Sequence, residues 1–300
     1  MCEAPISVII TTYNDHEYLE QAINSIIAQT LLPSEIIVVD DGSDYSISDA
    51  TIKTCSHKAR NVSINFFRKD NGGASSARNF GLTHAKFGYV AFLDVDDRML
   101  PDNLKIKYEI IENLDENYFG VYGGAIRSTG KEEVYSDFDG VIDVDLIDKV
   151  NIGIPGGVPF YLFNKDVLNN VGGFDENLYC NEDYDLIIRL FRMNKKCKGS
   201  SGSGFYRNLR VNSLSRPTDP MKNFHRIWTF LEKAEKNSFY SKDYLDYRKM
   251  ELHVSLVKGL AKRGMFIKAI KYARVGFKYK KPLTLKQKLA YFLSFSFLFS

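Results

Sequence analysis

The chain has 300 residues, 44% hydrophobic and 26% charged, a balance that excludes disorder and allows one large core or a core with a smaller appendage. Its four cysteines, Cys2, Cys55, Cys180 and Cys197, show neither metal-ligand pairing nor a disulfide framework, which points to a reducing compartment. The net charge of +3 is unevenly spread: residues 221–300 hold 18 Lys or Arg against 5 Asp or Glu, leaving the first 220 at −10, and no acidic residue follows Glu251. An acidic body and a basic tail imply different partners.

Ser7 to Thr12 reads as a buried strand. Asn14 is placed to cap a helix with Glu17 three positions on, and Leu19, Ala22, Ile23, Ile26 and Ile27 keep helical spacing until Leu32-Pro33. A second strand, Glu35 to Val39, runs into Asp40-Asp41-Gly42-Ser43, and the succession predicts a right-handed βαβ unit with a parallel sheet. Ile47 to Lys58 reads as a helix, Val62 to Arg68 as the third strand, and Asp70-Asn71-Gly72-Gly73 as the opening of a helix. A fourth strand, Tyr89 to Leu93, delivers Asp94-Val95-Asp96-Asp97. Pro101 to Leu114 follows as a helix, Phe119 to Ile126 and Val158 to Phe163 as strands, and Lys165 to Asn170 as a short helix. Gly172-Gly173-Phe174-Asp175 reads as a tight connection before an amphipathic helix, Asp183 to Met193, which opens at Glu182-Asp183-Tyr184-Asp185. From Asn223 the pattern is helical and basic, with Leu256 to Phe277 as a helix pair, and it ends in the apolar run Leu289 to Ser300.

Three acidic clusters therefore stand in a fixed order. The first two follow apolar β-branched runs, so their carboxylates fall at strand ends, where open α/β sheets bind ligands. Hard oxygen donors in the second cluster suit Mg²⁺ or Mn²⁺ better than Zn²⁺. With Ser7-Val8-Ile9-Ile10-Thr11-Thr12-Tyr13-Asn14, Asn71-Gly72-Gly73, Ala77-Arg78-Asn79-Phe80-Gly81 and Gly172-Gly173-Phe174-Asp175, the clusters make residues 5–220 resemble the family 2 glycosyltransferases. The resemblance implies an α/β fold of GT-A type, with a Rossmann-like, mostly parallel sheet flanked by helices. It places a catalytic domain at 1–220, with a nucleotide-sugar half at about 1–115 and an acceptor half at about 116–220, ahead of a basic helical C-terminal extension at 221–300. The implied activity is inverting transfer from a nucleoside-diphosphate sugar, above all a UDP-sugar, to a hydroxyl of a saccharide or lipid-linked saccharide in bacterial cell-surface polysaccharide synthesis.

Residue roles follow from the same resemblance. Asp183 is the expected general base, with Glu182 the neighbour that could replace it; a helix start is expected to lower its pKa. Thr11 and Tyr13 are expected to pack on a uracil ring, and Asp41 to accept its N3–H. Asn71 and Arg78 sit at a glycine-rich helix start that favours the anionic side of a nucleotide, Arg78 having a solvated helix charge as its alternative. Asp96 is the expected metal ligand and Asp94 lies nearer the ribose while sharing the metal; Asp97 equally suits a turn. Asp40, Ser43 and Asp44 equally suit cap or turn roles. Tyr206 to Ser215 resembles a loop closing over the donor phosphates, where Arg210 replaces a common His and cannot bind a cation, so that Arg207 or Arg210 is expected to clamp phosphate.

Two rival readings remain. A sugar-phosphate nucleotidyltransferase would open with a glycine- and arginine-rich phosphate loop where Thr11-Thr12-Tyr13-Asn14 stands, and a non-catalytic nucleotide-sugar binding or scaffold protein would not need Glu182-Asp183. No nucleic-acid module is present in the sequence, so nucleic acid is not an expected partner. The N-terminus has no basic stretch and a strand-length apolar run, which predicts cytoplasmic residence. Lys278, Lys280, Lys281, Lys286 and Lys288 precede the 12 residues from Leu289, too few to span a bilayer, which takes about 20. The tail is expected either to contact the cytoplasmic face of an anionic membrane peripherally or to pack on the body or on a second subunit.

Overall fold

The computed structural model describes residues 3–58, 62–128, 133–136, 139–142, 157–208 and 219–280. They fall into two compact units, within Met1–Leu209 and Arg210–Ser300. The first unit is built on strands β1 (Glu3–Thr12), β2 (Leu32–Asp40), β3 (Ser63–Arg68), β4 (Tyr89–Asp94), β5 (Arg98–Met99), β6 (Tyr118–Ser128), β7 (Glu133–Ser136), β8 (Val141–Ile142), β9 (Tyr161–Asn164) and β10 (Lys196–Asn208). One sheet runs in the order β3-β2-β1-β4-β9-β6-β10-β5, with β7 beside β6 and β8 beside β10. It is parallel from β3 to β4; β9 then pairs antiparallel with both β4 and β6.

The helices of this unit are α1 (Leu19–Ile27), α2 (Asp49–Lys58), α3 (Ala74–His84), α4 (Asn103–Ile111), α5 (Lys165–Asn170) and α6 (Glu182–Arg192). Alternation along β1 separates two cores, because successive strand residues face opposite sides. Ile6, Val8 and Ile10 join Leu19, Ile23, Ile26, Cys55 and Leu104 from α1, α2 and α4. Ile9 joins Ala77 and Leu82 from α3, and Leu186, Ile187, Leu190 and Phe191 from α6, on the other face. A parallel sheet covered on both faces needs near-continuous apolar strands, which is what Ile36 to Val39 and Val90 to Leu93 supply. The consequence for function is that α3 and α6 lie in one layer.

Four local expectations change. Asn14 does not cap α1: its φ of +57° is left-handed, and a short 3₁₀ turn, His16–Tyr18, precedes the helix. Leu32-Pro33 lies inside β2 rather than ending a helix, and Val158–Phe160 is a 3₁₀ turn ahead of β9. The Tyr206 to Ser215 segment begins in β10, parallel to β6, so Tyr206 and Arg207 are strand residues, while residues 209–218 lie outside the described residues.

The second unit contains α7 (Pro220–Lys236), α8 (Lys242–Ala261) and α9 (Phe266–Tyr279). Asp219 caps α7 by accepting from the Met221 and Lys222 N–H groups, and Ser241 caps α8 by accepting from Tyr244 N–H. Phe224, Trp228, His253, Tyr272 and Tyr279 form its aromatic centre. Residues 281–300, with the expected membrane tail, lie outside the described residues.

Candidate active site

Parallel pairing brings the ends of three strands to one sheet edge. Thr11 is in register with Val39 on β2 and Asp94 on β4, and Thr12 with Asp40. In the first cluster, Asp40 is buried, accepts hydrogen bonds from the Ser43 N–H and hydroxyl, and has Arg68 at 3.4 Å and His16 at 3.6 Å. Asp44 is held by Asn14, whose amide oxygen accepts the Asp44 N–H at 2.8 Å. Asp40, Ser43 and Asp44 thus build the turn.

Asp41 is only 3% exposed. Its Oδ1 accepts from Lys69 Nζ at 2.9 Å and Gly72 N–H at 3.1 Å, and its Oδ2 from Gly73 N–H at 2.7 Å and Asn71 Nδ2 at 3.4 Å. A carboxylate offers about four acceptor positions, so a base approaching Asp41 through an N–H has to displace a donor, and the Lys69 side chain is the longest of them. Gly42 makes this nest: its φ is +73°, and a Cβ there would lie 2.6 Å from the Asn71 nitrogen. Gly42, Arg68, Lys69, Asp70 and Asn71 border an open pocket of about 660 Å³ beside it. Thr11 is half-buried at the strand end, and Tyr13 is exposed.

In the second cluster the Asp97 N–H donates to Asp94 O at 2.9 Å and closes a turn that divides the carboxylates. Asp97 points inward and accepts the Asn208 N–H from β10 at 2.9 Å. Burial, then the nearby charges of Asp94 and Asp96, push its carboxyl up to about 8, against the pull of Asn208 and Arg207. Asp94 and Asp96 stay partly exposed at the edge.

Arg78, on α3, joins the second and third clusters. Its Nη2 donates to Asp94 and its Nη1 to Glu182 at the start of α6, each at 2.9 Å, and the residue is 7% exposed. Its guanidinium also lies over the Phe174 ring, 5.5 Å from the centroid. The solvated-charge alternative for Arg78 is therefore excluded. Burial opposes the charge, but the two carboxylates outweigh it and hold the group protonated.

Residues 7–164 match the sequence profile of glycosyl transferase family 2. The chain belongs to that family. A glycosyltransferase of undetermined specificity from Rickettsia conorii, RC0461, is 34% identical over 198 residues, covering 63% of this chain and 31% of that protein. The minor teichoic acid biosynthesis protein GgaB of Bacillus subtilis is 33% identical over 199 residues, covering 63% and 21%. The chain spans under a third of the length of the first curated Rickettsia relatives that it matches. Among solved structures, S. aureus TarS 1-349 in complex with UDP-GlcNAc aligns with TM-score 0.58 at 18% identity, covering 96% of this chain and 79% of that one. The mannosyltransferase PcManGT from Pyrobaculum calidifontis, in complex with GDP-Man and Mn²⁺, aligns at 0.60 and 14%, covering 99% and 81%. These likenesses are of fold, and they place the family 2 chain among GT-A proteins.

In this family 2 chain Asp183 stands one residue into α6, and the Tyr184 N–H donates to its carboxylate at 2.8 Å. The expected lowering of its pKa by the helix start is corrected. Burial first and the charge of Glu182 second push it up to about 6, outweighing Tyr184 N–H and Arg78. No side chain caps α6, since Asn181 is left-handed with φ +58°. Packing holds it instead: Leu186, Ile187, Leu190 and Phe191 are buried, each contributing roughly 1.5–3 kcal/mol.

Two positioning residues received no role from sequence. Asn79 receives the Phe174 N–H at 2.8 Å and donates to the Phe174 carbonyl and to Glu176 at 2.9 Å. Arg189 pairs with Asp185 at 2.8 Å and donates to the carbonyls of Val171 and Gly173, at 2.8 and 2.6 Å. Asn79 ties the glycine loop to α3 and Arg189 ties it to α6; the i, i+4 spacing of Asp185 and Arg189 was the available signal.

For a metal, no cluster of three or more His, Cys, Asp or Glu is arranged to hold an ion among the described residues. Mg²⁺ sites on nucleotides use one or two carboxylates, with phosphate and water completing the shell. Asp94 and Asp96 offer two carboxylates at the exposed edge, and burial together with the charges of Asp94 and Asp96 raises Asp97, so the residues present fit a cation there. Arg207 lies close enough to act on Asp97, and Arg210 is outside the described residues.

Proposed function

We propose that this chain is an inverting glycosyltransferase that moves a sugar from a nucleoside-diphosphate donor, a UDP-sugar above all, to a hydroxyl of a saccharide or lipid-linked saccharide. The observation that carries the reading is the Arg78 bridge, which sets the base helix against the Asp94 strand end. Asp183 takes the acceptor hydroxyl proton as that oxygen forms its bond to the anomeric carbon and the carbon–oxygen bond to the diphosphate breaks. One displacement inverts the anomeric centre, and no protein nucleophile is required. With a carboxyl near 6, Asp183 is largely ionised at neutral pH yet more basic than an ordinary aspartate.

Thr11, Tyr13, Asp41 and Asn71 surround the nucleoside, Asp41 being presented by backbone donors from Gly72 and Gly73. Asp96 and Asp94 would hold Mg²⁺ or Mn²⁺, which when bound neutralises charge on the departing diphosphate. Arg207 supplies a further cation toward the same edge. The name of GgaB supports a role in cell-surface polymer synthesis, and the UDP-GlcNAc bound by TarS supports a UDP-sugar.

The test is calorimetric and kinetic. UDP binding should strengthen with Mn²⁺ or Mg²⁺ and lose that gain in Asp96→Ala. Asp183→Asn should retain donor affinity while turnover falls about 10² to 10⁴-fold. Equal UDP binding with and without metal overturns the metal role, and a product with retained anomeric configuration by NMR overturns single displacement.

A further inference from the structure

Helix α9 has two chemically different sides. Ala269, Ala273 and Gly276 turn inward, and a Cβ on Gly276 would lie 2.4 Å from His253 Cβ on α8. Ile267, Lys268, Lys271, Arg274, Val275 and Lys278 are exposed. The positions 267, 271, 274 and 278 follow helical spacing and form one stripe. Ile267 is 87% exposed, Val275 37%, and Met265 in the preceding turn 43%, the turn itself carrying Lys262 and Arg263. No Asp or Glu follows Glu251 anywhere in the sequence.

We propose that the exposed face of α9 and the turn before it dock on an anionic lipid bilayer, the helix lying in the plane of the interface. Charge decides the occupant. A second copy docked face to face would present the same basic surface and be repelled, and an uncharged apolar partner would leave five or more cations without counter-charge. An anionic bilayer satisfies both components: headgroups meet Lys268, Lys271, Arg274 and Lys278, while Met265 and Ile267 enter the acyl boundary. Among the described residues no helix is long and apolar enough to cross a membrane, and the docking proposed for α9 is peripheral. This surface goes beyond glycosyl transfer and stands independently of it.

The full chain is sedimented with vesicles of phosphatidylcholine alone and of phosphatidylcholine mixed with phosphatidylglycerol. Binding is expected to the anionic vesicles and to weaken with salt. Lys268→Gln, Lys271→Gln and Arg274→Gln together should weaken it on the order of 100-fold, about fivefold per charge. Ile267→Asp should weaken it at every salt concentration. Both variants alter exposed positions and should keep the parent thermal midpoint. A chain ending at Lys280 should retain the salt-sensitive binding. Sedimentation that is absent, equal for both vesicle types, unchanged in the variants, or lost on ending at Lys280 overturns the proposal. So does a loss in the variants of self-association or oligonucleotide binding with vesicle binding unaffected.

Discussion

Asp183 is the side chain whose titration should be visible in turnover. With Asp183 as the proposed base the ionised form is the active one, so kcat/KM should fall tenfold per pH unit below about 6 and level off above it. Its neighbours set where that limb lies. Arg78 lowers the carboxyl, so Arg78→Met should move the limb to higher pH; Glu182 raises it, so Glu182→Gln should move the limb down. A pH–rate series on the three proteins checks both signs. If Glu182→Gln abolishes turnover and Asp183→Asn is mild, the base is Glu182. At the other strand end, Asp41→Asn would turn an amide N–H toward groups that are all donors. A loss of about 1–3 kcal/mol in denaturant unfolding is expected, together with weakened UDP binding.

At the scale of elements, the glycine loop before α6 acts through Asn79. Asn79→Ala removes three hydrogen bonds that span α3 and residues 174–176. Turnover should drop while donor affinity holds, since the donor-side nest is untouched; equal losses in both would show a general structural effect. This loop also shows what sequence does and does not display. Strands β1, β2 and β4 are legible because burial on both faces requires near-continuous apolar runs, while the edge strand β3 shows only as the short run Ile64 to Phe67; Lys165–Asn170 and the start of α6 follow from their apolar spacing. β10 was not legible. Its sequence from Lys196 to Asn208 is rich in Gly and Ser, which reads as loop, yet the small residues are needed because a Cβ on Gly204 would lie 2.6 Å from Gly124 O. The candidate site divides likewise: Asp41, Asp94 and Asp183 are readable as carboxylates at element ends, whereas the partners of Arg78 depend on two helices 104 residues apart in the chain sharing one layer.

At the scale of the molecule, the single tryptophan offers a selective reporter. Trp228 lies in the second unit, stacked on Phe224, with Lys249 Nζ 5.6 Å above its ring. Lys249 is 4% exposed and pairs with Glu235 at 2.7 Å. Lys249→Ala should lower the fluorescence-detected unfolding midpoint by removing the ion pair, the ring contacts and a buried alkyl stem together.

The shared guanidinium of Arg78 has a thermodynamic consequence. Whatever neutralises Asp94 leaves more of the Arg78 charge acting on α6, so Asp183 becomes a stronger acid. The two ends of the bridge are then linked equilibria, and linkage is reciprocal: protonation of Asp183 must loosen binding at Asp94 by the same factor. Near pH 6 the loading of donor and metal should therefore expel protons. Calorimetry in two buffers of unequal ionisation enthalpy would read that release directly, and Arg78→Met should diminish it.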